Sequence, residues 1–114
     1  MLTIHELRQF GANVEEGINR CMNDEEFYLE LVEMALEDDS FEKLSNAVKA
    51  KKWRDAFGAA HALKGVLANV ALTPLYTQVS EMTELLRAEK AADYPAILGQ
   101  ILRLRDTLLN QKNR

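Results

Sequence analysis

A chain of 114 residues, 47% of them hydrophobic and 28% charged, has the size of one compact domain and an ordinary soluble balance. Eighteen acidic against fourteen basic side chains give a formal net charge of -4, which argues against the strongly basic surface that nucleic acid or an anionic membrane requires. Five glycines and two prolines leave no interdomain linker, and no window carries the continuous apolar run of a membrane span.

The amino terminus, "MLTIHELRQF", has helical spacing and lacks the basic start and apolar centre of a signal peptide, so a cytoplasmic protein is expected. Thr3 and Glu6 form a capping box, and Gly11 is placed to end this first short helix. Asn13 with Glu16 opens a second, with Val14 and Ile18 on one side. Cys21 has no disulfide partner and reads as a small buried apolar residue. Asp24 caps a third helix, whose Phe27, Leu31 and Met34 at i, i+4 and i+7 predict its buried face.

Ser40 is expected to cap a fourth helix with Phe41, Leu44 and Val48 inward. After the basic run Lys49, Lys51, Lys52 and Arg54, the residues Trp53, Ala56, Ala60, Leu63, Leu67 and Val70 repeat with the three-four spacing of a buried seam. Thr73 then reads as a cap with Pro74 at the first helical position, followed by Leu75, Val79, Met82 and Leu86. A break at "AEKAAD" precedes a last helix from about Asp93, with Ile97, Ile101, Leu104 and Leu108 as its seam. Strand signals are missing, and the connections are short. The expected fold is therefore all-α: an antiparallel up-down four-helix bundle over about 41–110, with additional short helices covering it over about 3–37, in a single domain 1–114.

The stretch "HALKG" stands out within the fifth helix. His61 lies about 100° round from Ala60, at the edge of the seam, and its neighbours on the helix surface are Gly58, Lys64, Gly65 and Ala68. Glycine inside a helix costs roughly 1 kcal/mol relative to alanine. Two of them beside one imidazole either clear space for something to approach or allow a neighbouring helix to pack closely. Lys64, one turn on, would attract an anion attached to the ring. His5 lacks these surroundings and reads as an ordinary surface residue, and no cluster of ligands suggests a metal site.

The segment "AHALKGVLANVALTPLYTQVSEMTELLRA" resembles the histidine-containing phosphotransfer (HPt) domain of two-component phosphorelays. The likeness centres on His61, Leu63, Lys64 and Gly65, which match the family's H-x-L-K-G core, and it extends more loosely from Asp24 to about Leu109. It implies that His61 carries a phosphoryl group to or from an aspartate of a response-regulator receiver domain, with a hybrid sensor histidine kinase as a further partner. Lys64 would stabilise the phosphoryl group, and Gly65 would admit the receiver's loops. Docking would use Gly58, Ala62, Gly65 and Ala68, rimmed by Arg54. Arg87 falls where some members place a basic residue near the phosphohistidine. The chain departs from the family at Val66 and Leu67, where small or polar residues are common, and at Ala71, where a further glycine is common.

The resemblance implies no cofactor of the protein's own, with Mg2+ expected on the partner receiver domain. No Walker or kinase motif is present, so the expectation is a phosphocarrier and not an enzyme that uses ATP. A monomer without nucleic-acid or membrane partners is expected, and Met1 with the domain-sized length leans toward a free-standing protein. The alternative is an HPt-like helical adaptor that binds a signalling partner without being phosphorylated.

Overall fold

The computed structural model describes residues Met1–Arg114. Seven helices follow in order: α1 (Ile4–Phe10), α2 (Val14–Arg20), α3 (Glu25–Leu36), α4 (Ser40–Lys49), α5 (Trp53–Asn69), α6 (Thr73–Arg87) and α7 (Tyr94–Lys112). Helices α4 to α7 pack in a ring, each against its chain neighbour, and α7 closes the ring on α4. Short connections force successive members of the bundle to run antiparallel. α3 lies against α7 and precedes α4 after a three-residue break, so that together they form one side of the bundle.

Local chemistry explains the element starts and stops. Thr3 Oγ1 accepts the Glu6 N–H at 3.1 Å while the Thr3 N–H donates to Glu6 Oε1, also at 3.1 Å, and Gly11 closes α1 at φ +104°. Asn13, Asp24 and Asp93 each accept a backbone N–H three residues on, at the starts of α2, α3 and α7. The three bundle turns contain Lys51, Ala71 and Glu89, all in the left-handed region at φ +54° to +57° without being glycine. A left-handed backbone of this kind favours glycine, and Ala71 adopts it with a β-carbon.

The core is one continuous cluster. Leu44 and Val48 of α4, Ala56, Ala60, Leu63 and Leu67 of α5, Leu75, Val79, Met82 and Leu86 of α6, and Ile101 and Leu108 of α7 are all buried. The N-terminal helices cover the end of the bundle that carries the α5–α6 turn. Asn13 N–H donates to Ala71 O at 3.0 Å, and Tyr28 Oη donates to Val70 O at 2.9 Å. The Arg20 guanidinium caps Ala68 O. At the same end, Lys112 pairs with Glu37, and Arg105 Nε donates to Leu36 O at 2.7 Å while its guanidinium lies 4.7 Å from the centre of the Phe41 ring.

Several sequence expectations need correction. The buried face of α3 is Tyr28, Val32, Ala35 and Leu36, whereas Phe27 and Met34 are exposed and Leu31 is half-buried. Two apolar stripes share this helix, and only the one on which Gly17 leaves room for a ring can turn inward. Ser40 does not cap α4: Asp38 Oδ1 accepts the Ser40 N–H at 2.9 Å, and Ser40 is itself the first helical residue. Thr73 is likewise the first residue of α6, with its hydroxyl donating to Ala71 O at 3.3 Å. Trp53 is 41% exposed and leaves the seam to stack on Tyr94, their ring centroids 5.0 Å apart. In α7, Ile97 and Leu104 are half-buried, and Tyr94 and Leu98 join Ile101 and Leu108 inside.

Candidate functional site

α5 is held on one side by α4 and on another by α6, which leaves one ridge facing solvent. At about 100° per residue, Arg54, Gly58, His61, Gly65 and Ala68 fall within an arc of about 80° on that ridge. His61 is exposed near the middle of the helix, as are Gly58, Ala62 and Gly65 beside it. A β-carbon built on Gly58 or Gly65 would meet nothing within 4 Å. No packing within the chain requires either glycine, so of the two readings of these residues the structure supports cleared surface. Gly17 is the contrast: a β-carbon there would stand 2.6 Å from Tyr28 Cζ, which is close packing of the kind a glycine permits.

On the α6 side the imidazole meets Phe57, and a group of charged side chains adjoins that ring. Phe57, one turn before His61, stacks on it with ring centroids 5.8 Å apart and planes 21° from parallel. The Arg87 guanidinium carbon lies 5.2 Å from the centre of the same phenyl ring, within the range of a cation–π contact. Lys64 Nζ lies 3.9 Å from Glu84 Oε1, and Arg87 Nε donates to Glu84 Oε2 at 3.1 Å. The α5–α6 interface therefore gathers two cations and one carboxylate at the edge of the histidine ridge.

On the α4 side the ridge borders a cleft of about 570 Å³ lined by Lys43, Asn46, Lys52, Arg54, Asp55 and Gly58. Arg54 thus lies where the ridge meets this cleft. Ala68 lies toward the other end of the ridge, half-buried beside Arg20, whose guanidinium takes its carbonyl. His5 is exposed on α1, outside this arrangement.

Sequence reasoning missed Phe57 and Glu84. Phe57 was legible in principle, since its i-4 spacing from His61 puts the two rings on one face. Glu84 was not, because its place beside Lys64 depends on how α5 and α6 are registered. No group of three or more His, Cys, Asp or Glu side chains is placed to hold a metal ion. No helix is long and apolar enough to cross a membrane.

Chemically, the ridge presents an exposed imidazole with open space at Gly58 and Gly65 beside it. A family model described as the Hpt domain matches residues 26–111, which takes in nearly all of α3, all of α4 to α6 and almost the whole of α7. Comparison with curated proteins and with solved structures finds no match. The family match spans most of the chain and leaves α1 and α2 outside it, and on its strength this chain belongs to the Hpt domain family, the histidine phosphotransfer carriers of two-component signalling.

Proposed function

We propose that His61 is the phosphoryl acceptor and that the α5 ridge around it is the docking surface for a response-regulator receiver domain. The observation that carries this reading is the exposed imidazole flanked by Gly58 and Gly65, neither of which packs against anything in its own chain. A receiver's phosphoaspartate needs to bring its phosphorus to the ring nitrogen without obstruction. Glycines at these two positions give it the room.

In the transfer, the lone pair of the unprotonated ring nitrogen attacks phosphorus. The P–N bond forms as the P–O bond to the aspartate breaks, and the carboxylate leaves with that electron pair. The other ring nitrogen keeps its proton during the step and can release it to water afterwards. Phosphoryl transfer is mostly positioning and charge stabilisation. Lys64 supplies the nearest ammonium on the same helix, and Arg87 reaches the site from α6. Mg2+ belongs to the receiver's acidic pocket, and this chain needs no cofactor for its share of the chemistry.

Docking uses Gly58, Ala62 and Gly65 as the close-approach surface, with Ala68 at its far end and Arg54 at the rim. The Arg54 and Lys64 charges favour an acidic partner surface and speed encounter. Residues 1–114 act as one unit, a reading supported by the Met1 ammonium donating to Lys112 O at 2.8 Å and by α3 packing on α7, and that unit works as a monomer because the bundle buries its own seams. The place of work is the cytoplasm, where receiver domains and kinase catalytic domains meet.

Treatment with a small phosphoramidate donor, followed by phosphorus NMR, tests the reading without a partner. A phosphohistidine signal in the wild type that is lost in His61→Gln supports it. A missing signal, or one that survives the substitution, counts against it.

A further inference from the structure

Lys64 already has a partner in the unphosphorylated protein. Glu84 takes its ammonium on one carboxylate oxygen, at 3.9 Å, and the Arg87 guanidinium on the other, at 3.1 Å. The Lys64 side chain is only 26% exposed, so it lies against the α5–α6 groove and does not extend freely into water. Arg87 in turn rests over Phe57, the ring that stacks on His61. Lys64, one turn from His61 on α5, and Arg87, over the ring that stacks on His61, therefore share one carboxylate on α6.

We propose that Glu84 is a positioning residue: a resident counter-ion that keeps Lys64 and Arg87 beside the imidazole and competes with the phosphoryl group for both once His61 carries it. This rests on His61 being the acceptor. A phosphoryl group brings about -1.5 to -2 charges into a neighbourhood that already holds the Glu84 carboxylate. It draws the cations toward itself, and the carboxylate opposes both its arrival and its hold on them. The charged groups involved are Lys64 from α5 and Glu84 and Arg87 from α6, with Arg54 further along the ridge.

The functional consequence concerns how readily the group leaves. Cations paired with the phosphoryl oxygens stabilise the bound dianion, and in spontaneous loss of the group to water, where electron density flows from those oxygens onto the departing ring nitrogen, that pairing holds the bound state back. By holding part of that positive charge, Glu84 keeps the phosphohistidine from becoming too stable to pass on. A carrier needs an intermediate of that kind.

The test compares wild type, Glu84→Gln and His61→Gln after phosphoramidate treatment, following phosphorus NMR signals against time, pH and salt. Glu84 is an exposed side chain, and the glutamine keeps its shape and helix propensity. In Glu84→Gln the phosphoryl group should titrate at lower pH than in wild type, and the phosphohistidine should decay about two- to fivefold more slowly, the scale of an exposed ion pair. Both differences should shrink as ionic strength rises. Identical titration and decay in wild type and Glu84→Gln, with the His61 signal present, would overturn the Glu84 role and leave the acceptor reading intact. Failure to form a His61-dependent signal in the wild type would overturn both.

Discussion

Phe57 stacks on His61 across one turn of α5, with ring centroids 5.8 Å apart and planes 21° from parallel. The contact limits how the imidazole can turn, and the same phenyl ring carries the Arg87 guanidinium on the α6 side. Truncation to Phe57→Ala should release both. Phosphorylation of His61 by a small donor should slow severalfold while far-ultraviolet circular dichroism stays helical. An unchanged rate would show that the stack does nothing for the reaction.

Gly65 sits in a helix interior with open space where a side chain would go. Gly65→Ala should therefore raise stability by about 0.5–1 kcal/mol, the propensity difference between the two residues. Gly65→Gln should leave helix content intact but lower transfer between this protein and a receiver domain. Thermal unfolding and transfer rates read the two effects separately. A receiver that transfers equally well with Gly65→Gln would remove the docking role from this position.

Gly17 has the opposite character, because the Tyr28 ring occupies the place of its missing side chain. Neither α2 nor the ring can move cheaply, since Tyr28 is fully buried and its hydroxyl is tied to Val70 O. Gly17→Ala should destabilise the protein by about 1–3 kcal/mol, the usual cost of overpacking. Denaturant unfolding measures it directly, and a value near zero would mean that the N-terminal cover is loosely held.

Burial pushes the Tyr28 phenol up to about 12 from its ordinary value of 10. The folded state therefore keeps this proton at pH values where the unfolded chain has lost it. The associated stability is fully present below pH 10 and falls as pH rises toward 12, at about 1.4 kcal/mol per pH unit. Urea unfolding across that window should show the slope in wild type and a shallower one in Tyr28→Phe. Equal slopes would mean that another group governs the alkaline loss.

Lys51 occupies the α4–α5 turn at φ +57° with its side chain exposed. A lysine there carries the left-handed strain of about 1–2 kcal/mol that glycine avoids. Part of the gain is offset by the greater freedom of glycine in the unfolded chain. Lys51→Gly should stabilise by about 0.5–1 kcal/mol, seen as a rise in Tm with transfer unaffected.

The sequence by itself determined the type and order of the helices and put His61, Lys64 and two glycines on one of them. Thr3 and Asp24 cap as read, and Asn13 and Asp93 cap the helices whose starts were read there, because these side chains act within three residues of themselves and so show in a linear pattern. The common face of Gly58, Gly65 and the imidazole was legible for the same reason, since they lie on one helix at known angles, but whether the glycines clear space or seat a neighbouring helix was decided by the packing. Only the tertiary structure decided which of two apolar stripes on α3 turned inward. Phe27, Leu31 and Met34 have the right spacing, yet Tyr28 wins because Gly17, on another helix, opens a seat for its ring and Val70 O accepts its hydroxyl. Trp53 fits the seam of α5 by spacing but lies at its first turn, where it stays 41% exposed against Tyr94 at the margin of the core. The ion pairs of Glu84 were hidden likewise, because Lys64 and Glu84 meet only once α5 and α6 are packed in register. Periodicity shows which side chains share a face of one helix, and packing between helices determines what that face touches.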